Sequence, residues 1–378
     1  MKKSVFLWMG WVLISACVVF PAMAQATDKV DPPAADSGGV KSLEDRITHL
    51  EEVIDRPVES DKWHNRLKIG GLIEIEAGYG RVDFDDPAED DEKISDVDLA
   101  TVELVVDARI AAHIDGHVML KYEEDDLFID EGFITLTGTE EFPAYLIAGR
   151  QYIPFGSFES HFITDPMTLE LGETNEGAVV IGYRTGGGWV DISLGAFNGK
   201  IEETGSDDHI SNLVGRIAVT PFENFALGVS YTSNLAAADA FADHVISGEV
   251  RDDVGGWSVF ATATVFERLT IHAEYLAAID AFAAGEIYSS AETDRRKPAA
   301  WNLEMGYAFT DRWEMALRYG GSTDGDAGSG EFLPETQYGA VVNWGLHANT
   351  NLALEYLHSD FEDDYQSDAV VAQLAIAF

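Results

Sequence analysis

From Leu67 to Phe378 the chain repeats one pattern: short runs in which apolar and polar residues alternate, separated by clusters of Gly, Asp, Asn and Pro. Successive side chains of a strand point to opposite faces, so this period of two predicts strands with one greasy and one polar face. Ile73, Ile75 and Tyr79 oppose Glu74 and Glu76. Val102, Leu104 and Val106 oppose Thr101, Glu103 and Asp107. Leu303, Met305 and Tyr307 oppose Asn302 and Glu304, Leu317 and Tyr319 oppose Arg318, and Leu354 and Tyr356 oppose Glu355. No stretch after residue 25 has the roughly 20 consecutive apolar residues of a membrane helix.

The connections alternate too. Short ones are expected at Asp115–Gly116, Gly138–Glu140, Thr185–Gly188, Pro221–Asn224, Glu267–Arg268, Thr310–Arg312 and His347–Asn349. Long ones are expected at Arg81–Asp96, Pro154–Gly177, Gly199–His209, Ser233–Val250, Ile279–Lys297, Ser322–Pro334 and Asp360–Ser367, with Glu123–Leu127 a short member of that second set. Tight turns at one end and long loops at the other are the pattern of an outer-membrane barrel. Strands of ~10 residues with such connections give about sixteen strands. The fold class is therefore all-β: a transmembrane antiparallel up-and-down β-barrel over residues 67–378.

A soluble sandwich also alternates. Three features point away from it. Aromatic residues stand near strand ends on the apolar face, as interfacial girdles require: Tyr79, Tyr122, Tyr145, Tyr183, Tyr231, Trp257, Tyr275, Trp301, Tyr307, Trp313, Tyr319, Trp344 and Tyr356. The opposite faces carry carboxylates and Arg, which suit a wet lumen. The last strand alternates through Leu374 and Ile376 to a terminal Phe378, resembling the signal by which the barrel-assembly machinery recognises outer-membrane barrels for insertion. Closure follows physically, because lipid offers no partner to an open strand edge.

The N-terminal part reads differently. Lys2 and Lys3, the apolar run Val5–Phe20 and Ala22-Met23-Ala24 form a signal peptide over 1–24, which sends the chain out of the cytoplasm. Ile14-Ser15-Ala16-Cys17 is a rival lipoprotein-type cleavage box. Residues 25–40 read as a flexible linker. Over 41–56, Leu43, Ile47, Leu50 and Ile54 are spaced 4-3-4, the seam of a short periplasmic coiled coil. That seam fits an oligomer, a homotrimer being the arrangement expected of a porin-like chain; it fits equally one helix lying on its own domain.

Charge narrows the function. The chain has 24 Lys+Arg against 67 Asp+Glu, a net −43. No nucleic-acid partner is expected of such a surface. Anion pores want rings of Arg or Lys, so a pore here is expected to prefer cations. The acidic loop clusters read either as a solvated, repulsive outer surface or as a negative funnel that concentrates cations, with outer-membrane lipid and lipopolysaccharide as the expected partners. No catalytic, metal or cofactor motif is present, so neither an enzyme nor a cofactor is expected.

The distinctive segment runs from Gly149 to Gly177. It holds several Phe residues and is too apolar to hang in water. It reads either as a loop folded into the lumen or as one packed over the rim or a neighbouring subunit. In the first case Arg150, Tyr152, Phe155, Phe158, Glu159, His161 and Asp165 form the constriction, and Glu74, Glu76, Glu103 and Asp107 line the lumen wall.

The lead strand Leu67-Lys68-Ile69-Gly70-Gly71-Leu72-Ile73-Glu74 and the run Gly149-Arg150-Gln151-Tyr152-Ile153-Pro154-Phe155-Gly156 leading to Thr164-Asp165-Pro166 resemble the LbtU-family siderophore porins, as do the coiled-coil start and the early acidic loop. That resemblance implies a Gram-negative outer-membrane protein associated with ferric-siderophore uptake. A separate plug domain would need a far longer stretch before the first strand than the residues between Ala24 and Leu67, so none is expected. The resemblance carries no binding residues. Two other readings stand beside it: a general or nutrient-specific cation-preferring porin unrelated to iron, and a structural or adhesion barrel with an occluded lumen.

Overall fold

A computed structural model of the chain describes residues 63–84, 91–123, 125–206, 209–325, 332–362 and 365–378. The signal peptide, linker and coiled-coil expectations fall outside these residues. The strands, in chain order, are β1 (Leu67–Phe84), β2 (Glu92–Ala111), β3 (Ile114–Glu123), β4 (Asp126–Thr137), β5 (Ala144–Tyr152), β6 (Asn175–Arg184), β7 (Val190–Phe197), β8 (Glu202–Glu203), β9 (Asn212–Phe222), β10 (Phe225–Thr232), β11 (Glu249–Val250), β12 (Gly256–Val265), β13 (Leu269–Ala278), β14 (Ala299–Thr310), β15 (Trp313–Thr323), β16 (Thr336–His347), β17 (Thr350–Asp360) and β18 (Tyr365–Ala377). All but β8 and β11 form one closed barrel of sixteen strands, each beside its sequence neighbour. The two-residue β8 and β11 pair with each other in the loops.

The seam joins β1 to β18, antiparallel, from Leu72↔Ala377 to Phe84↔Tyr365. Gly71 and Phe378 lock its end by exchanging backbone hydrogen bonds at 3.0 Å each. A Cβ on Gly71 would lie 2.5 Å from the Phe378 ring, so only glycine leaves room for the terminal side chain.

The wall is inside-out relative to a soluble protein. Leu303 and Met305 are 39% and 44% exposed, whereas Glu304 between them is fully buried. The same inversion repeats at Ile75 between Glu74 and Glu76, at Leu317 beside Arg318, and at Leu354 and Tyr356 around Glu355. A continuous apolar exterior is unfavourable in water and fits hydrocarbon. Aromatic pairs mark its edges. Trp313 stacks on Trp344 at 4.9 Å at the short-turn end, and Trp301 meets Tyr319 at 5.0 Å towards the long loops.

Three details depart from the alternation. Tyr145 is not a girdle residue; it opposes Thr137 on the inner face and donates to Asp191. The Cβ-free Gly182 makes room for its ring. The β2–β3 turn falls at Ala112–His113, with His113 at φ 64°, so Asp115 and Gly116 lie inside β3. The first and last outer connections are shorter than the charge clusters imply, because β1 runs to Phe84, β2 begins at Glu92 and β18 begins at Tyr365. Acidic side chains do not end a strand where both of its faces are wet.

Candidate pore constriction

The connection between β5 and β6 folds inward, and the wall holds it by its backbone. Three glutamates on strands far from this connection in sequence project into the barrel: Glu274 on β13, Glu304 on β14 and Glu355 on β17. Glu274 accepts the Ser157 and Phe158 amides at 3.0 and 2.9 Å, and the Ser258 hydroxyl at 2.6 Å. Glu304 accepts the His161 amide at 2.7 Å and the Ser160 hydroxyl at 3.0 Å. Glu355 accepts the Ile163 amide and the Thr164 hydroxyl, both at 2.5 Å. An extended loop leaves its amides without a ladder, and these carboxylates supply the missing acceptors.

Arg318 on β15 completes the attachment. Its Nε donates to Glu304 at 2.9 Å, and its Nη atoms donate to the Thr164 and Asp165 carbonyls at 2.7 and 3.1 Å. The guanidinium lies 4.3 Å from the centre of the Phe162 ring. One planar fork thus ties wall, loop backbone and loop side chain together.

Apolar anchors hold the rest of the segment. Ile153, Phe155, Met167 and Leu171 join a cluster with Phe197, Phe241, Leu276, Phe282 and Leu333, so the inward loop and the loops above it share one core. The short helix Met167–Gly172 contributes Met167 and Leu171 to it.

His161 sits beside a second imidazole. Its Nδ1 lies 2.9 Å from Glu314 and its ring centroid 4.7 Å from that of His272. A Cβ on Gly306 would lie 2.5 Å from the His161 ring; the glycine makes the seat for it.

Nine of the eleven sequence-predicted residues fall into three sets. Glu159, His161 and Asp165 lie on the inward loop, with Glu159 exposed and 3.6 Å from His272. Burial pushes the Asp165 carboxyl up to about 7, against the opposing pull of Arg318 and Lys121. Phe155 and Phe158 anchor the loop rather than line a passage, because they pack into the apolar cluster. Glu74, Glu76 and Glu103 stand on the inner face of β1 and β2, and Asp107 meets His117 at 2.8 Å on the same face of β2 and β3.

Arg150 departs from expectation. It opposes Gly132 and Gly177, in the phase shared by exposed Ile134 and Val179, and donates to the Asp130 carbonyl. It takes no part in the loop's attachment among the described residues. Tyr152 is on the inner face, its hydroxyl 3.1 Å from Asp130. Nothing in the sequence motifs singles out Glu274, Glu304, Glu355 and Arg318 as sites. Their signal was a lone charge on the inner face of an otherwise lipid-facing strand.

No family model matches the chain. It is 29% identical over 264 residues to a UPF0422 protein of Coxiella burnetii, covering 65% of this chain and 55% of that protein. It is 22% identical over 306 residues to the UPF0422 protein lpl2888 of Legionella pneumophila, covering 73% of this chain and 56% of that one. The chain thus spans little more than half the length of these relatives. Among solved structures it is similar to Salmonella typhi OmpF in complex with daunomycin (TM-score 0.54, 12% identity, 82% of this chain and 97% of that one). It is also similar to an anion-selective porin from Comamonas acidovorans (TM-score 0.56, 12% identity, 82% and 99% covered). A third likeness is to Pseudomonas putida OprB (TM-score 0.55, 12% identity, 88% and 96% covered). At this identity the likeness concerns the fold alone, and that fold, a closed sixteen-strand antiparallel barrel, is the porin fold.

Proposed function

We propose that the protein is a porin-like channel of the Gram-negative outer membrane, narrowed by the inward segment between β5 and β6. The observation that carries this reading is the triple attachment of that segment to Glu274, Glu304 and Glu355. A loop held by buried carboxylates is a fixed narrowing of the lumen, not a flap. Exported by its signal peptide 1–24, the chain would pass a linker at 25–40 and a helix at 41–56 before the barrel. Lipopolysaccharide, the barrel-assembly machinery and two further copies of the chain are its proposed partners. Refolded protein should give discrete conductance steps in planar bilayers; current no different from lipid alone would remove the channel reading and favour an occluded structural barrel.

The resemblance to the LbtU-family siderophore porins supports a finer reading, in which the solute is a ferric siderophore. Uptake of radiolabelled ferric siderophore by a deletion strain, against its parent, tests it. Unimpaired uptake would leave a general cation-preferring porin.

A further inference from the structure

The inner face of β1–β4, away from the loop's attachment, carries an excess of acceptors. Glu74 and Glu76 on β1, Thr101 on β2, Lys121 on β3 and Asp130 on β4 are all buried. Glu103 opposes Lys121 across β2 and β3. Half of these groups are matched. Glu76 receives the Gln373 amide at 2.9 Å, Asp130 receives Tyr152 and Asn175, and the Lys121 ammonium stands 2.9 Å from Glu123.

Three are not matched. Glu74, only 3% exposed, and Glu103 make no hydrogen bond or ion pair among the described residues. The buried Thr101 hydroxyl oxygen likewise has no partner there. The groups in electrostatic reach of Glu74 are Glu76, Glu103, Lys121 and Asp165, so one cation faces several carboxylates. Several carboxylates crowded on one wall around a single ammonium repel one another, and what relieves them is a further positive charge bearing N–H groups.

We propose that Glu74, Thr101 and Glu103, beside Lys121, form a binding site for a small organic cation carrying a primary ammonium. Lys121 is the internal precedent: its own ammonium is already held among these carboxylates, and its four-carbon stem allows it to swing aside. An ammonium fits better than a metal ion, since among the described residues no group of three acidic or histidine side chains is placed to hold one. It fits better than an anion, since among the described residues Glu74, Glu76, Glu103 and Asp165 outnumber Lys121 there. The assignment rests on the channel reading only for the route by which the cation arrives.

The test uses the refolded barrel in detergent micelles at low salt, titrated calorimetrically with 1,4-diaminobutane, with butanedioate as the anionic counterpart. Saturable binding of the diamine and none of the diacid is expected. Glu74→Gln should weaken it about tenfold, the order of effect of one lost charge contact. Lys121→Met, which removes the competing ammonium, should tighten it. Opposite shifts cannot come from a general loss of fold, and Thr101→Val, close in shape, gives a third variant that should weaken binding. Absence of diamine binding, equal binding of the diacid, or shifts of the same sign in Glu74→Gln and Lys121→Met would overturn the site. Bilayer recordings on the same preparations separate the two readings: binding without current defeats the channel and leaves the site, whereas current without binding does the reverse.

Discussion

The Arg318 guanidinium and the Glu304 carboxylate meet at 2.9 Å with neither side chain exposed to solvent. Buried ion pairs stabilise little relative to well-packed apolar residues, but breaking one from a single side is costly. Here the pair also carries loop atoms on both partners, so its loss is felt by the constriction before the barrel wall.

Arg318→Met should therefore cost about 3–5 kcal/mol, because it strands Glu304. Urea unfolding in micelles measures this. Bilayer conductance should rise as the segment Ser160–Asp165 loses its fork. Unchanged conductance and stability together would mean the fork holds nothing.

Glu355→Gln keeps the shape and removes the charge. Three donors, from Ile163 and Thr164, then face a neutral amide. The expected loss is about 1.5–3 kcal/mol, the range for hydrogen bonds to a charged group. Proteolysis between residues 157 and 166 should accelerate, with the barrel's resistance to heat nearly unchanged.

Gly306→Ala tests the seat of His161. The new Cβ would fall 2.5 Å from the ring, so the imidazole must leave Glu314. About 1–3 kcal/mol of overpacking is expected. If the His161 ring resonances in an NMR spectrum do not move, the ring does not rest there.

His244 sits in the loop cluster, its ring 4.3 Å from that of Phe332. Burial lowers its pKa from 6.5 to about 4. The unfolded loop takes a proton below pH 6.5 and the folded one does not until about 4. Stability of the cluster is thus full above 6.5 and falls as pH drops, by at most about 1.4 kcal/mol per unit. Protease nicking of residues 233–255 should rise between pH 7 and 5, and His244→Phe should flatten that dependence.

Alternation disclosed the barrel because a lipid-facing strand has few ways to be written: Leu303-Glu304-Met305 has one reading once the strand is taken to face hydrocarbon. The inward loop was legible as a segment because its Phe residues could not stay in water. What could not be read was which wall residues meet it. Glu274 and Ser157 are 117 positions apart, and nothing local in either announces the other. The place of Arg150 was lost for a different reason. Gly149 stands at φ 140°, and Asp130 is left out of the pairing where β3 shifts register against β4, so period-two counting fails just there. Tyr145 reads as a girdle residue in the sequence because an aromatic near a strand end satisfies a girdle and a lumen contact equally well.

The seam of the cylinder has a consequence for biogenesis. Every neighbouring pair of strands but one is joined by a nearby turn or loop; the exception ties Glu76 to Gln373, 297 positions along. That final pairing cannot form until the C-terminal strand has been synthesised. Until then the nascent polypeptide carries two raw β-edges and a sticky apolar coat, which makes an escort through the aqueous space, rather than speed of folding, the step on which successful delivery turns.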